Sequence, residues 1–282
     1  RKGKTVFFDS HEDVPKQILG KPYLGDSVKK LLSQVVALLE SWVCRRIDGV
    51  ICATPYIRDK FLGINPASVD VNNFPLWEEV ASTGAPKTAV KNQVCYVGAI
   101  AGVRGIREMV HAMEHVSHNV RFALGGKFNE PGLRDEVASF KGWQAVDELG
   151  WLNREEIQEL MRDSVAGLVT LHPIVNYLDA LPVKMFEYMS AGLPVIASDF
   201  PILKEIVGEA QCGLCVDPLR PEEIARAIDW MIENPVAARE MGENGRRAVI
   251  ERYNWRVEEL KLLQFYERVR DGAQIYGAPS KA

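Results

Sequence analysis

The sequence predicts an α/β protein built on parallel sheets and divided into two blocks of unequal size. Three observations carry that expectation. From residue 93 to 216, short apolar runs alternate with amphipathic stretches, the pattern of a doubly wound sheet. A shorter series over residues 5–75 has about three strands, where a Rossmann-like domain normally carries six or so. Between the two, residues 76–92 contain Ser82-Thr-Gly-Ala-Pro86 and have the composition of a linker.

The first block opens with a strand at Thr5–Asp9 and a loop over Ser10–Asp13. Residues 27–46 predict an amphipathic helix, because Val28, Leu31, Leu32, Val35, Leu38, Leu39 and Trp42 recur at helical spacing. That stripe is expected to pack on the first sheet. A strand at Asp48–Thr54, a short helix at Pro55–Leu62 and a last strand at Val69–Pro75 follow. In the second block, strands at 93–98, 120–125, 145–149, 165–171, 194–198 and 213–216 alternate with helices at 105–115, 131–140, 154–162, 182–191 and 201–207. Helices at 221–233, 235–251 and 255–270 close the series.

Composition bounds the function. The 282 residues are 47% apolar and 26% charged, as in an ordinary globular protein with room for two domains. The chain contains no apolar run of about 18 residues. Its start, basic and then apolar for only three residues, is too short for a signal peptide. A net charge of −4 argues against bulk nucleic-acid binding. The charge is uneven: residues 1–64 carry 11 Lys/Arg against 7 Asp/Glu, and the rest carry 23 against 31. Five cysteines at irregular positions suit a reducing compartment. Cys212 and Cys215 have redox-motif spacing but lie in a strand and its exit turn rather than at a helix start, which favours a structural role.

The most informative stretch runs from Asp179 to Asp199. It reads as a loop, a helix and a buried strand. Pro182 suits a first helical turn, Gly192 a helix C-terminus, and Pro194-Val-Ile-Ala a parallel strand. Asp179 falls in the loop, and Glu187 lies within the helix one turn beyond Lys184. A loop feeding a helix N-terminus, with a lysine and carboxylates nearby, can hold a phosphate and a sugar.

This stretch resembles the donor-site signature of the retaining glycosyltransferases called family 4 (group 1, bacterial polysaccharide type), which have the GT-B fold. The usual pattern there is Glu, seven residues, Glu, then a small-residue helix end and a Gly-x-Pro-Val strand. Here the first position is Asp179 and the second Glu187. The resemblance extends from about Val6 to Val269 and covers further loops. Gly98 to Gly105 resembles the first donor-domain loop, in which an Arg follows the first Gly and a Lys precedes the last. Ala99 and Arg104 occupy those positions here, so one of two phosphate-binding cations is absent from its usual place. Gly126 and Lys127 follow the second strand of the block, and Lys127 could supply the missing cation; the plain alternative is a solvated lysine in a turn. Trp151, within Gly150-Trp-Leu152, resembles the loop whose backbone reads a nucleobase edge. Leu181 lies beside the helix start. His11, just after the first strand, resembles the acceptor-domain histidine facing the donor sugar across the cleft; a loop histidine capping a helix is the alternative. His172 could touch a substrate or be structural. His111 and His115 have metal-ligand spacing but read as a partly exposed helix face.

The resemblance implies GT-B architecture: two Rossmann-like domains facing a cleft, the N-terminal one incomplete in this chain. The boundaries it implies are 1–85 for the C-terminal half of the acceptor-side domain plus linker, 86–254 for the donor domain, and 255–282 for a closing helix and tail. It implies transfer of a hexose from a nucleotide-diphosphate sugar to a glycan, lipid-linked or protein acceptor, with retention of configuration. The assigned roles are His11 and Asp179 in catalysis, with Gly98, Arg104, Gly105, Gly126, Lys127, Trp151, Leu181, Lys184 and Glu187 binding the donor. The sequence has no Asp-x-Asp, so the expectation is no catalytic metal and no cofactor beyond the substrate. A sugar-nucleotide epimerase on the same fold and a degenerate nucleotide-sugar-binding protein are the alternatives. The expected location is cytoplasmic, with peripheral contact at the inner membrane face open: the basic flanks of residues 27–46 could make weak contact with anionic lipid.

Overall fold

The computed structural model describes residues 3–21, 23–76 and 91–275, with side chains up to 272. The linker expected over 76–92 lies almost wholly outside the described residues. Two compact units emerge: residues up to Phe74 together with those from Trp255 onward, and Pro75–Asn254.

The first unit carries a parallel sheet of β1 (Phe7–Ser10), β2 (Gly49–Cys52) and β3 (Ser68–Asp70), in that order. α1 (Val14–Leu19) was not expected. Asp13 caps it by accepting from the Lys16 N–H, and its first turn carries a proline. α2 (Asp26–Cys44) and α3 (Pro55–Leu62) follow, with the Thr54 hydroxyl capping α3. One core, on the side of Phe8 and Phe61, joins Cys44, Val50, Cys52 and Ile57. On the other side Phe265 of the last helix packs with Ile51, Val69 and Phe7.

The expectation for α2 fails in one respect. Its apolar stripe does not pack on the sheet: Leu31, Leu38, Leu39 and Trp42 are 57–72% exposed, and within the helix only Cys44 is buried. The helix is instead tethered by polar contacts. Lys60 of α3 bridges Glu40 of α2 at 2.6 Å and Asp13 at 2.9 Å, and the Ser33 hydroxyl donates to the Pro15 carbonyl at 2.8 Å.

The second unit is complete as a doubly wound sheet. Its strands are β4 (Gln93–Val97), β5 (Arg121–Gly125), β6 (Val146–Gly150), β7 (Ala166–Val169), β8 (Val195–Ser198) and β9 (Gly213–Val216), all parallel, in the order β6-β5-β4-β7-β8-β9. Its helices are α4 (Ile106–Ala112), α5 (Leu133–Ala138), α6 (Arg154–Asp163), α7 (Val183–Ser190), α8 (Pro201–Ala210), α9 (Pro221–Glu233) and α10 (Pro235–Glu251). The central strands are buried on both faces, which accounts for their unbroken apolar runs. The last helix, α11 (Trp255–Ile275), belongs to the first unit. Its Glu258 accepts from the Asn72 backbone N–H at 2.7 Å, and Lys261 pairs with Glu258 and Asp70.

Candidate active site

The strand order fixes where a ligand can bind in the second unit. From β4 the chain winds outward to β5 and β6, and then returns to β7 on the other side. The crevice at the C-terminal ends of β4 and β7 is therefore a topological switch point, where open α/β sheets bind ligands. The loop after β4 is the glycine-rich segment from Gly98, and the loop after β7 carries His172, Tyr177 and Asp179 into α7.

The glycine-rich loop is built on close backbone contacts. Gly98 and Gly126 have φ of 131° and 140°, outside the ordinary range of residues with a Cβ. The Gly98 N–H donates to the Gly125 carbonyl at 3.0 Å, and the Gly126 N–H donates to the Gly150 carbonyl at 2.6 Å. The three loops after β4, β5 and β6 are thereby laced edge to edge. Gly105 (φ 79°) approaches the β7 exit so closely that a Cβ would stand 2.1 Å from the Thr170 carbonyl oxygen. A turn of 3-10 helix over Gly102–Arg104 leads through it into α4.

α7 is pinned beneath β4. The Val97 N–H donates to the Tyr188 hydroxyl at 3.0 Å, and the Tyr188 ring lies against Gly167 of β7. With the helix held there, Lys184 in its first turn reaches the β4 exit. Its ammonium nitrogen lies 3.4 Å from the Tyr96 ring centroid and 3.1 Å from where a Cβ on Gly98 would be. Burial, reinforced by repulsion from Arg104, holds the Lys184 pKa well below the ordinary lysine range, and Glu187 only partly opposes the shift.

Arg104 ends the 3-10 turn near the phenols of Tyr96 and Tyr177. Burial works against its charge, yet hydrogen bonds and electrostatic attraction from Tyr96 and Tyr177 outweigh it and raise its pKa. The Tyr96 hydroxyl donates to the Ala99 carbonyl at 2.6 Å, which leaves its lone pairs for the guanidinium. The loop bearing Tyr177 is latched to the same region: the His172 N–H donates to the Val103 carbonyl at 3.0 Å, and His172 Nε2 pairs with Glu108 at 2.9 Å. His172 thus has a structural partner on α4.

The structure brings Gly98, Arg104, Gly105, Gly126 and Lys184 to one edge. Glu187 is exposed on α7, Asp179 half-buried in the loop before it, and Leu181 half-buried beside the helix start. Lys127 is exposed in the β5 exit, and it is Lys184 whose ammonium abuts Gly98. Trp151 is 70% exposed at the β6 exit, while its neighbour Leu152 covers Gly125. His11, in the first unit, follows β1 and pairs with Asp9 at 3.3 Å, both side chains exposed. His111 stacks on Phe140 and pairs with Glu114. Cys212 and Cys215 are free, with burial pushing their thiols up to about 12 and about 11, so neither is a ready thiolate. Tyr96 and Tyr177 were not anticipated. A tyrosine ending a buried strand beside a glycine-rich loop is the signal that could have found Tyr96.

Residues 79–248 match the family described as glycosyl transferases group 1, more than half of the chain. The chain belongs to that family. Among similar proteins, an MMP alpha-(1->4)-mannosyltransferase of Mycolicibacterium hassiacum is 24% identical over 64% of this chain and 44% of its own length. A glycogen synthase of Mycobacterium tuberculosis is 22% identical over 87% of this chain and 60% of its own. The chain therefore spans roughly half the length of these curated relatives. A crystal structure of Anabaena Alr3699/HepE in complex with UDP superposes with a TM-score of 0.73 at 14% identity, over 94% of this chain and 72% of that one. The likeness in structure shows a shared fold, GT-B with parallel Rossmann-like sheets.

Proposed function

We propose that this group 1 member binds a nucleotide-diphosphate sugar at the β4/β7 switch point and transfers its sugar, a hexose, with retention. One observation carries the reading. Two basic side chains, Arg104 and Lys184, converge from opposite sides of the switch point on a loop of glycine backbone. A diphosphate is the part of a nucleotide-sugar that such a site fits. The relatives' names, a mannosyltransferase and a glycogen synthase, and the UDP bound to the HepE structure support the same class of donor.

The cations and loop amides would neutralise the leaving diphosphate as charge develops, so the proposed chemistry needs no metal. Glu187 would accept from the ribose hydroxyls, Asp179 would face the donor sugar, and the β6 exit at Trp151 with Leu181 would meet the rest of the donor. His11 is proposed as the catalytic histidine on its position after a parallel strand. Family membership favours transfer over the epimerase and the non-catalytic reading. Calorimetric titration with UDP, GDP and ADP and their sugars tests donor binding, and NMR of the product's anomeric proton tests retention.

A second proposal concerns α2. Its exposed stripe, ending in Trp42 beside Arg45 and Arg46, supports contact with anionic lipid, an acceptor carried on lipid and a peripheral position at the inner membrane face. No helix among the described residues is long and apolar enough to cross a membrane.

A further inference from the structure

Lys184 poses a problem that its own fold leaves open. Its ammonium nitrogen is buried and has no hydrogen-bond acceptor among the described residues. The groups that face it offer little charge compensation. From β4 come the Tyr96 ring and the Cys95 thiol, and burial pushes both of their pKa values up, Cys95 to about 12, so both are neutral. From the loop after β4 comes Arg104, a second cation. From α7 itself comes Glu187, whose carboxylate is exposed one turn along. A buried, unpaired ammonium next to another cation has two remedies: it releases its proton, or it receives an anion.

The backbone ahead of it suits an anion. Nζ abuts Gly98, where the absent side chain leaves the approach open, and the 3-10 turn holding Arg104 closes the same loop. We propose that binding of a diphosphate at this site is coupled to the uptake of one proton by Lys184. Before binding, Lys184 is an amine against the Tyr96 ring. On binding, a proton from solvent adds to Nζ, and the ammonium pairs with a phosphate oxygen. The inference rests on the donor-site reading and deepens it: Lys184 is an adjustable cation and Arg104 a fixed one. The site then avoids two buried like charges when empty and presents both when the diphosphate arrives. Diphosphate affinity falls as pH rises from the free-state to the bound-state midpoint of Lys184, and a permanently charged residue at 184 removes that dependence.

The test is a pH titration of the whole chain labelled with 13C-lysine, with the Lys184 Cε signal assigned from Lys184→Arg, or from Lys184→Met should the arginine variant not fold. The probes are inorganic pyrophosphate and, separately, UDP, GDP and ADP. The free protein is expected to show a Lys184 midpoint well below the ordinary lysine range and below the pH at which the calorimetry is run, raised again by pyrophosphate. Calorimetry in buffers of different ionisation enthalpy should find up to one proton taken up per pyrophosphate, and none in Lys184→Arg. An ordinary midpoint in the free protein, or a low one that pyrophosphate leaves in place, overturns the proposal. If pyrophosphate raises the midpoint and no nucleoside diphosphate does, the proton coupling stands and the nucleotide-sugar reading falls. If a nucleoside diphosphate binds with no proton uptake, the donor reading stands and the coupling falls.

Discussion

A Cβ on Gly126 would stand 1.8 Å from the carbonyl oxygen of Gly98, so the loops after β4 and β5 meet backbone to backbone. Gly126→Ala therefore cannot be accommodated by a side-chain shift, and φ of 140° adds strain. The expected cost is about 1–3 kcal/mol in stability, with loss of nucleotide binding beyond what that cost explains. Urea unfolding and calorimetry of the same variant measure the two effects.

Arg104→Ala is expected to reduce nucleoside-diphosphate affinity more than nucleoside affinity, because only the phosphates lose a contact. Tyr177→Phe should act in the same direction but more weakly, since it removes a polar group near the guanidinium without removing the guanidinium itself. Equal losses for nucleoside and nucleoside diphosphate would place Arg104 outside the phosphate site.

Glu187 is exposed, so Glu187→Ala should fold normally. It should weaken nucleotide-sugar binding by about 1.5–3 kcal/mol, as for a lost hydrogen bond to a charged group. Unchanged affinity for the nucleotide would remove Glu187 from the ribose.

In the first unit, Asp70 gathers Asn72, Lys261 and Arg58. Burial opposes its charge, but those partners prevail and lower its pKa. A carboxylate with a depressed folded-state pKa contributes stability that is fully present above its unfolded value of about 3.9. That contribution is lost as pH falls through the folded value. Asp70→Asn should thus destabilise the unit at neutral pH by about 1–3 kcal/mol, after discount for the one-third exposure of the two cations. The difference from the parent should shrink in strong acid. Thermal unfolding across pH gives the answer.

The exposed α2 stripe changes what lipid binding should look like. With Leu31, Leu38 and Trp42 exposed, anionic vesicles should retain the protein, and salt should weaken that retention only in part. Lys29→Glu with Lys30→Glu should lower the salt-sensitive part, and Trp42→Ser the remainder. A chain that never pellets with anionic vesicles excludes the membrane reading.

How much could be read beforehand follows from the range of the interactions involved. The strands of the second unit and the start and stop of α7 were legible, because burial and capping act on neighbouring residues. Even there the detail differs: Pro182 is the cap of α7, with Val183 its first helical residue. α1 was missed although Asp13 and Pro15 mark it, because six residues are too few for an apolar period. The fate of the α2 stripe is not legible in the sequence, since periodicity shows that a face is apolar but not what covers it. The glycines, Arg104 and Glu187 were visible as a pattern. The choice of Lys184 over Lys127 at Gly98 was not, because it depends on Tyr188 pinning α7 under β4, a contact between residues 91 positions apart.

The central claim is a diphosphate site at the β4/β7 switch point, and the most direct measurement is calorimetric titration of the folded chain with a panel of nucleoside diphosphates. At least one of UDP, GDP and ADP should bind at a single site, with affinity reduced about tenfold or more by Arg104→Ala, as for loss of a charge-assisted contact. A folded chain that binds none of them, or binds one equally well without Arg104, would contradict the account.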